Sequence, residues 1–338
     1  MTVEVPHLSA RPTAIAADAT GVYLGAMVLT TDDARARRWA VLKLDGSGGV
    51  AWSAIDELVR SPAPERVLLA NGGVIGVGID GSEETARLMM ADRHDASTGK
   101  RTWQRRFTAR DAKCTSPDCG GKDVFGGAAV RGTSVLFSAT VDRPLEEAFG
   151  ELSLAKGAPG KSYTARSDLR AHDLAADDGG IYLLEDTLSS VFSLVKLGPD
   201  KTAWKQDIKT GALRIATAPF GLVLWGKTIE KRSAETGELA WTSKLAGEHL
   251  DVATDANAIY AIAMIDKGFA IAKLDPASGN VQWLRKANDY ALRIAVDKDW
   301  LYICGFDGDK LYVEKRRKSD GALGEVATTA RTVQLKRR

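Results

Sequence analysis

One position of a repeated sequence pattern carries charged side chains along most of the chain, and it offers the first candidates for a binding site. If these side chains meet, they can form a ring of partly exposed ion pairs, each contributing about 0 to 1 kcal/mol. Five of the seven residues are charged, and the last four alternate in sign. We refer to the following seven residues as the column: Ala14, Arg66, Gly127, Asp173, Arg214, Asp251 and Arg293.

The same column could instead bind an anion. Arg66 and His172 would lie beside the gap left by Gly127, and a guanidinium binds carboxylate or phosphate through paired hydrogen bonds. Of these two interpretations we expect the ion-pair ring, with at least two salt bridges among the last four members of the column.

The histidines and glycines form no recognisable catalytic or metal-binding motif. His7, His94, His172 and His249 are spread along the chain without the spacing of metal ligands. A catalytic site would need titratable side chains gathered around one cavity. The run 71-NGGVIGVG-78 has the glycines of a hairpin and no helix signal after it, which argues against a phosphate-binding loop. We therefore predict no catalytic residue, no metal and no cofactor.

The three cysteines predict one disulfide and one buried thiol. Cys114 and Cys119 lie in the Pro/Gly-rich segment 113-KCTSPDCGGKD-123, which can close on itself. Such a bond would indicate a periplasmic or extracellular protein whose export signal has been removed, and a cytoplasmic location is the alternative. The first residues, MTVEVPHLSARP, lack the features of an export signal. Cys304 falls in an apolar run and is expected to be an inert core thiol.

Composition excludes several classes of partner. Apolar residues make up 44% and charged residues 27% of the chain, as in soluble globular proteins. The 46 Lys and Arg against 44 Asp and Glu give a net charge of +2, which is no reason to expect nucleic acid. No apolar run approaches the roughly 18 residues of a membrane helix, so we expect no membrane insertion. The 338 residues exceed the roughly 250 to 300 of one core, so two domains or a modular array are needed.

A repeated register indicates the modular array. In each copy, a small or apolar residue is followed seven positions later by an apolar one, with Gly, Asn or Asp near the sixth position. Those turn residues accept the positive φ of a tight hairpin, and each copy continues into a β-rich run, so each copy opens with a β-hairpin. The copies are 15-IAADATGV-22, 67-VLLANGGV-74, 128-AAVRGTSV-135, 174-LAADDGGI-181, 215-IATAPFGL-222, 252-VATDANAI-259 and 294-IAVDKDWL-301.

A third and a fourth strand follow each hairpin. Third strands are evident in runs such as 40-AVLKL-44 and 193-SLVKL-197, and an Asp/Gly turn then leads to a fourth strand that carries an aromatic residue. Only the seventh copy, at 321-GALGEV-326, lacks this aromatic. The aromatic residues are Trp52, Trp103, Tyr163, Trp204, Trp241 and Trp283.

Four strands in each of seven copies predict an all-β fold, a seven-bladed β-propeller with four antiparallel strands per blade. The first strands would line a central channel, with the column near its mouth. We expect one domain over residues 1–338, with the last blade closed by its own fourth strand, by 2-TVEV-5 or by 332-TVQLK-336. The blades are expected at approximately 12–53, 64–107, 125–166, 170–208, 213–245, 250–286 and 292–328.

The turn and its aromatic form a motif with a known counterpart. The pattern D-x-x-[ST]-G-x-x-x-W occurs at 95-DASTGKRTW-103 and 275-DPASGNVQW-283, and without the Asp at 233-SAETGELAW-241. It resembles the tryptophan-docking repeat of pyrroloquinoline-quinone-type propellers, which include quinoprotein dehydrogenases and non-catalytic scaffold propellers. The resemblance implies that each Trp packs between neighbouring blades. The dehydrogenases have eight blades, an adjacent-cysteine disulfide and a calcium site, none of which this chain matches, so the resemblance favours the scaffold type.

The extra residues of the first three copies fall in segments that would open on one face. Insertions gathered on one face of a repeat protein commonly form its binding surface, and neutral drift of unconstrained loops is the alternative. The segments are the second-to-third-strand loops 27–38, 80–86 and 140–150 and the links 54–64 and 107–126.

The resulting hypothesis is a monomeric, non-catalytic binding or scaffold module that recognises a protein or a polar glycan through the loop-rich face over blades 1–3. The alternative is a lyase or hydrolase that acts on a sugar-like or small polar substrate at the channel mouth. The candidate binding residues are Arg66, His172, Asp173, Arg214, Asp251, Arg293, Arg35, Arg38, Glu146 and Phe149.

Overall fold

The chain folds entirely as β-strands and turns wherever the structure describes it. The computed structural model describes residues 2–4, 8–30, 33–56, 63–81, 88–109, 123–142, 145–167, 169–187, 191–198, 202–266, 268–287, 290–307, 310–324 and 331–332. Within these ranges the strands form seven sheets, which confirms the predicted seven-bladed propeller. The same ranges contain no helix long and apolar enough to cross a membrane.

Six of the blades consist of four consecutive antiparallel strands, ordered from the centre outward. Blades 1 and 2 contain β2 (Leu8–Asp18), β3 (Gly21–Thr30), β4 (Asp33–Leu44), β5 (Val50–Ile55), β6 (Ala63–Ala70), β7 (Gly73–Asp80), β8 (Leu88–Asp95) and β9 (Arg101–Phe107). Blades 3 and 4 contain β10 (Asp123–Arg131), β11 (Ser134–Asp142), β12 (Leu145–Ser153), β13 (Pro159–Ser167), β14 (Leu169–Asp177), β15 (Gly180–Thr187), β16 (Phe192–Leu197) and β17 (Thr202–Ile208). Blades 5 and 6 contain β18 (Ala212–Ala218), β19 (Gly221–Gly226), β20 (Ile229–Arg232), β21 (Leu239–Thr242), β22 (Glu248–Thr254), β23 (Ile259–Ile265), β24 (Gly268–Leu274) and β25 (Val281–Lys286).

Blade 7 is completed by both ends of the chain. It contains β26 (Ala291–Val296), β27 (Trp300–Asp307), β28 (Lys310–Arg317), β1 (Thr2–Glu4) and β29 (Arg331–Thr332), in that order. Strand β1 pairs antiparallel with β28, and β29 pairs parallel with β1. The segment of blade 7 that was expected as its own fourth strand contributes one isolated bridge, between Leu323 and Arg316. The N-terminal strand therefore occupies the fourth place of the blade.

The innermost strands form a closed circle. Each of the seven contacts the innermost strand of the blade before it and of the blade after it, including β26 against β2. Successive connections along the chain therefore lie alternately on the two opposite faces of the ring. We call the face with the links between blades and the hairpins between second and third strands the upper face. The opposite, lower face carries the remaining turns.

The hydrophobic core is divided among the contacts between blades. Each of the seven clusters of buried apolar residues combines side chains from two neighbouring blades. Trp39 of blade 1, for example, packs with Val67 of blade 2, and Phe107 of blade 2 lies 4.8 Å from Phe137 of blade 3. As far as the blades are described, a single blade therefore has no core of its own, as expected for a repeat architecture.

Two of the predicted loops are strands. The segments 27–38 and 140–150 belong largely to the hairpins β3–β4 and β11–β12, in which Val28 pairs with Arg38 and Thr140 with Glu147. The extra residues are shared between the two arms of each hairpin, so their backbone groups pair with each other, which is favoured over leaving them unpaired. Residues 57–62, 82–86 and 110–122 of the other predicted insertions lie outside the described part of the chain.

Candidate functional site

A β-bulge precedes the column residue in every innermost strand. The bulged residues are Thr13, Glu65, Gly126, His172, Leu213, Leu250 and Leu292. A bulge inserts one extra residue into a strand and changes the direction of the neighbouring side chain. Its recurrence in all seven blades places the column residues at one level, near the upper end of the channel. Sequence reasoning missed the bulges, because strict alternation was assumed along each first strand.

The channel contains a cavity of about 380 Å³ that all seven innermost strands line, together with Trp225 of β19. Its charged lining residues are Glu65, Arg66, Asp251 and Arg293. The lining further along the strands is mainly alanine, valine, leucine and isoleucine. The channel thus has a charged mouth and an aliphatic interior.

Asp173 links three blades at the mouth. Its Oδ1 accepts a hydrogen bond from Arg66 at 2.7 Å and from the backbone N–H of Leu174 at 2.9 Å, and its Oδ2 accepts the backbone N–H of Ile215 at 3.0 Å. The side chain is fully buried. Arg66 reaches across blade 3 to make this ion pair, and a Cβ at Gly127 would clash with the Asp173 carboxylate.

Asp251 and Arg293 make similar links to backbone groups. Asp251 Oδ2 accepts the backbone N–H of Ile294 at 2.9 Å, and Arg293 Nε donates to the Thr13 carbonyl at 2.8 Å. Burial raises the pKa of Asp251, although Arg293 and other arginines act in the opposite direction. Each of these side chains therefore joins its own blade to the next one around the ring.

At least two ion pairs were expected among the last four column residues, but no two of these form an ion pair in the described part of the chain; the one pair between column residues is Arg66–Asp173. The physical reason is that the buried aspartates bind the backbone N–H groups of the next blade instead of the arginine beside them in the ring. The ring is held together by charge-assisted hydrogen bonds to backbone more than by pairs of side chains.

Arg214 differs from the other arginines of the ring. It forms no hydrogen bond or ion pair with any residue that the structure describes. The charge of Arg66 is the largest cause that lowers its pKa, followed by burial, and the attraction of Asp173 does not offset them. Trp225 lies directly opposite Arg214 in the β18–β19 ladder, is 5% exposed, and its Nε1 has no hydrogen-bond partner in the part of the chain that the structure describes.

The described histidines lie away from the cavity lining. His172 is 3.2 Å from Asp186 through its Nε2 and packs against Phe192, so of the proposed Arg66–His172 pair only the arginine lines the cavity. His249 is buried, which lowers its pKa to about 4. His94 lies near the lower face. His7 falls outside the described residues.

Large apolar side chains are exposed on the upper face. One comes from each of blades 3 to 7, at the start of a first strand, at the end of a second strand, or in the hairpin between second and third strands. We call this set the apolar arc: Val124, Val191, Leu213, Met264 and Tyr290, which are 44%, 47%, 43%, 44% and 51% exposed.

Tyr290 extends the arc into an aromatic cluster. Its backbone φ is +63°, a left-handed conformation that is rare for a bulky residue and is often associated with functional sites. Its ring stacks on Phe306 at 5.3 Å between centroids and lies 6.1 Å from Phe269. The guanidinium of Arg11 lies over the ring of Phe306, 5.3 Å from its centroid.

The remaining predicted binding residues have varied environments. Arg38 and Glu146 are half-buried on β4 and β12. Phe149 is 4% exposed and belongs to the core between blades 3 and 4, so it is not accessible to a partner. Arg35 lies on β4, but its side chain is outside the described set, as are Cys114 and Cys119. No group of three or more His, Cys, Asp or Glu side chains that could hold a metal occurs among the described residues.

The tryptophans of the fourth strands contact the next blade on the lower face. Trp52, Trp103, Trp241 and Trp283 donate from Nε1 to carbonyls of the following blade at 2.9 to 3.2 Å. Trp283 is buried, whereas the other three and Trp204 are half-buried. Each of these five indoles lies against a glycine with positive φ in the next blade's turn. The glycines are Gly99, Gly157, Gly237, Gly279 and Gly321.

Buried acid–base pairs hold three of these turns, and sequence reasoning missed them. In each, a carboxylate binds a basic side chain two residues later at 2.7 to 2.8 Å, and that side chain also contacts the carbonyl of the turn glycine. The signal was an acid-x-base triplet just before the Asp/Gly turn. The pairs are Asp92–His94, Glu230–Arg232 and Glu314–Arg316.

Comparison with known proteins places the chain by fold. No protein-family model matches it, and no curated protein matches it by sequence. BamB from Moraxella catarrhalis is a similar solved structure, with 14% identity, 93% of this chain and 99% of that chain covered, and a TM-score of 0.49. A protein assigned as a 6-phosphogluconolactonase from Bacteroides uniformis has 14% identity, 97% coverage of both chains and a TM-score of 0.57. A chain of the mitotic checkpoint complex has 12% identity, 95% coverage of both and a TM-score of 0.62. At these identities the similarity shows the fold and neither an activity nor a partner.

Proposed function

We propose that the protein is a non-catalytic binding or scaffold module that recognises another protein through its upper face. The observation that carries this proposal is the apolar arc around the charged channel mouth. Single exposed apolar residues are ordinary on protein surfaces, but five on consecutive blades of one face form a distinctive pattern. Aromatic residues, Met and Arg are enriched in protein interfaces, and this face combines all three.

The proposed partner is a different protein and not a second copy of this chain. Arg66, Arg214 and Arg293 converge at the mouth, and the lowered pKa of Arg214 reflects a positive local field. Two copies packed with these faces together would oppose like charges, which is unfavourable. A partner with acidic groups at the centre of its interface and apolar groups around them complements the face.

The surface that we propose extends beyond blades 1–3, where the sequence insertions had placed it. The apolar arc lies over blades 3 to 7. Over blades 1 and 3 the upper face extends further from the channel mouth. The reason is that the hairpin β3–β4 is long and the strands β11 and β12 have nine residues each. A partner that is seated over the mouth would contact both parts.

Binding fits this face better than hydrolysis or lysis at the channel mouth. An acid–base mechanism requires titratable groups directed into the cavity. Among the described residues, the charged side chains that line it are Glu65, Arg66, Asp251 and Arg293, and neither His172 nor His249 is among them. Asp251 is committed to the backbone N–H of Ile294.

We also propose that the repeats are of the pyrroloquinoline-quinone type. The support is the recurring contact between an indole and the left-handed glycine of the next blade's turn, as with Trp241 and Gly279. The Asp275 carboxylate accepts hydrogen bonds from the backbone and hydroxyl of Ser278 within that turn, so each part of the sequence pattern has a structural role.

Site-specific photo-crosslinking tests the binding face. A photoreactive residue is placed at Met264 or at Leu284, which are both in blade 6 and are 44% and 45% exposed. In cells that produce the protein natively, we expect one discrete cross-linked protein from position 264 and none from position 284. With the probe placed at Tyr290 instead, the substitution Met264→Asp should abolish cross-linking to the same partner protein, whereas Leu284→Asp should preserve it. Cross-linking through position 284 alone would contradict the proposal.

A periplasmic or extracellular location with a Cys114–Cys119 disulfide remains part of the proposal. Cys304 is a buried free thiol, and burial raises its pKa strongly, as expected for an inert core cysteine. Thiol titration of unreduced protein, unfolded in denaturant after production under oxidising conditions, should therefore detect one thiol. Detection of three would reject the disulfide and favour the cytoplasm.

A further inference from the structure

We propose that the channel mouth is a carboxylate-binding site centred on Arg214 and Trp225, and that it receives an acidic side chain of the protein partner. The second half of this inference rests on the proposed function, whereas the first half does not. Four features of the mouth support this inference: an unpaired guanidinium, aspartates that bind backbone N–H groups, an unpaired indole N–H, and the size and lining of the cavity.

Three guanidinium groups surround the mouth, but they are used differently. Arg66 is engaged by Asp173 and by the Glu65 carbonyl, and Arg293 by the carbonyls of Thr13 and Leu292. Arg214 has no such acceptor among the described residues. Its fork of N–H donors, which matches the two oxygens of a carboxylate, is therefore free to bind a ligand.

The aspartates at the mouth bind groups other than Arg214. Asp173 already accepts hydrogen bonds from Arg66, Leu174 and Ile215, and its position is fixed by those bonds. Asp251 binds the next blade through Ile294, and burial acts against its ionised form. Glu65 also lines the cavity, but its attraction is the smallest of the charge effects on Arg214. An additional carboxylate would relieve the repulsion that Arg214 experiences from the arginines.

Trp225 provides an independent indication of a ligand. It lines the channel cavity, whose lining does not include Arg214 itself but does include the adjacent Ile215. It is more than nine-tenths buried, and its Nε1 has no acceptor among the described residues. Indole N–H is a donor only, and a buried donor without a partner is unfavourable. Trp225 and Arg214 are directly opposed across two strands, so both side chains lie on the same face of blade 5. A carboxylate between them would accept from both.

The cavity suits a short acidic chain. Its volume of about 380 Å³ is near the lower end of small-molecule sites. Val67, Leu68 and Ile294 line it beside the charged groups and can contact the methylene groups of a glutamate or a similar short acid. A single carboxylate also fits the charge of the site better than a doubly charged phosphate, because the aspartates have already neutralised part of the arginine charge.

Butyrate and inorganic phosphate, each added at constant ionic strength, are the probes for this site. We expect butyrate to raise the melting temperature of the wild-type protein and of the exposed-arginine control Arg285→Gln equally, and phosphate to act more weakly. Arg214→Gln should weaken butyrate binding at least about tenfold, as expected for the loss of a charge-assisted pair. Trp225→Phe, which replaces the indole by a smaller phenyl ring and so removes the N–H donor, should weaken butyrate binding several-fold.

The unliganded variants keep this test independent of folding. Arg214→Gln removes a repelled charge, so without butyrate its melting temperature should equal or exceed that of the wild type. If that variant does not fold, Arg214→Lys retains the charge and loses the fork, and it should still bind butyrate more weakly than Arg285→Gln. No response of the wild type to butyrate, equal responses of the Arg214 and Arg285 variants, or tighter binding of phosphate would each overturn the inference.

The partner identified by cross-linking distinguishes the two sources of the carboxylate. If the site binds an acidic side chain of the partner, butyrate should compete with the partner and Arg214→Gln should weaken the complex. Butyrate binding without competition would instead assign the site to a free small acid and overturn the second half of the inference. Failure of butyrate to bind while the arc-dependent cross-link persists would reject the carboxylate site and leave the proposed function intact.

Discussion

The charged residues of the ring show how one side chain type can act differently according to its partner. Asp173 and Asp251 were identified from sequence by their regular position, and both are at the mouth. Their hydrogen bonds to the backbone N–H groups of Ile215 and Ile294 could not be predicted, since they depend on the bulge that precedes each aspartate. A sequence pattern shows that a residue type recurs, whereas local backbone geometry determines which group its side chain binds by a hydrogen bond.

The isolation of Arg214 was also not predictable. The alternation of sign along the column implied that it would pair with an aspartate on either side, but one of those carboxylates is engaged by Arg66, and backbone N–H groups bind both. Such competition involves the relative reach of three side chains across different blades. This competition can be recognised only from the three-dimensional structure, because a column residue can pair with one that is not its neighbour in the column.

His249 should make the stability of the protein pH-dependent. Burial lowers its pKa from 6.5 to about 4, so as the pH falls the unfolded chain binds a proton before the folded chain does. Above pH 6.5 the histidine is mainly neutral in both the folded and the unfolded chain, so it does not lower the free energy of unfolding there. Between pH 6.5 and about 4, the free energy of unfolding should fall by up to about 1.4 kcal/mol per pH unit on its account, and level off below.

The measurement is urea denaturation of the wild type and of His249→Leu at several pH values from 8 to 4. The variant removes the titrating group, so the difference in free energy of unfolding between the two proteins should change in favour of the variant as the pH falls through this window. Parallel profiles over the whole range would show that the ring of His249 is as readily protonated in the folded protein as in the unfolded one.

At the scale of elements, the sequence predicted strand number and order well and predicted loop structure poorly. The hairpin turns and fourth-strand aromatics have strong local signals, because Gly and Asp are needed for the turn and Trp for the contact with the next blade. The sequence predicts a loop at 27–38, because this segment exceeds the usual length of a hairpin connection. Val28 and Arg38 nonetheless pair in an extended ladder, for which no turn residue gives a signal.

Trp283 should contribute strongly to the contact between blades 6 and 7. It is buried, donates to the Lys318 carbonyl and packs against Gly321 and Tyr260. Trp283→Ala should therefore lower the free energy of unfolding by roughly 3 to 5 kcal/mol. Leu284→Ala, at the next and exposed position, should change it by about 0.5 kcal/mol or less. Chemical denaturation of both variants provides the measurement, and equal effects would mean that the indole is not the main contact.

In the buried pair Glu230–Arg232 of blade 5, each side chain should be needed because the other is buried beside it. The pair as a whole should add little to the free energy of unfolding. At the equivalent positions, blade 6 has Ala272 and Leu274, which are buried and precede a turn with the same backbone hydrogen bonds without charges. Arg232→Leu alone leaves the Glu230 carboxylate buried without its partner, which should cost about 3 to 5 kcal/mol.

The double variant Glu230→Leu/Arg232→Leu should recover most of that loss, because an apolar pair can replace a buried ion pair with little net change. Urea denaturation of the single and double variants measures the coupling between the two positions. If the double variant is less stable than Arg232→Leu by the full effect of a second substitution, the two side chains contribute independently, and the pair interpretation is wrong.

At the scale of the whole molecule, the absence of a core within any described blade makes the ring the unit of folding. Every cluster of buried apolar residues spans two blades, so the loss of one contact exposes the cores on either side. The same geometry explains the site. Only the closed circle of innermost strands brings Arg66, Arg214 and Arg293, which are far apart in sequence, to one opening.

Ring closure depends on strand β1, and its removal gives the last prediction. Val3 is paired with Leu311 of β28 on one side and with Arg331 of β29 on the other, so β1 joins both chain ends to blade 7. Deletion of residues 1–4 would leave the β28 edge unpaired and β29 without its neighbour, and an unpaired edge favours association with other chains. We expect the melting temperature to fall by several degrees and light scattering to detect oligomers of the deleted protein. Unfolding should remain a single calorimetric transition, because blade 7 cannot separate without exposing the cores that it shares with blades 1 and 6. A truncated protein that is monomeric and as stable as the full chain would show that the contacts between blades close the ring without help from the N-terminal strand.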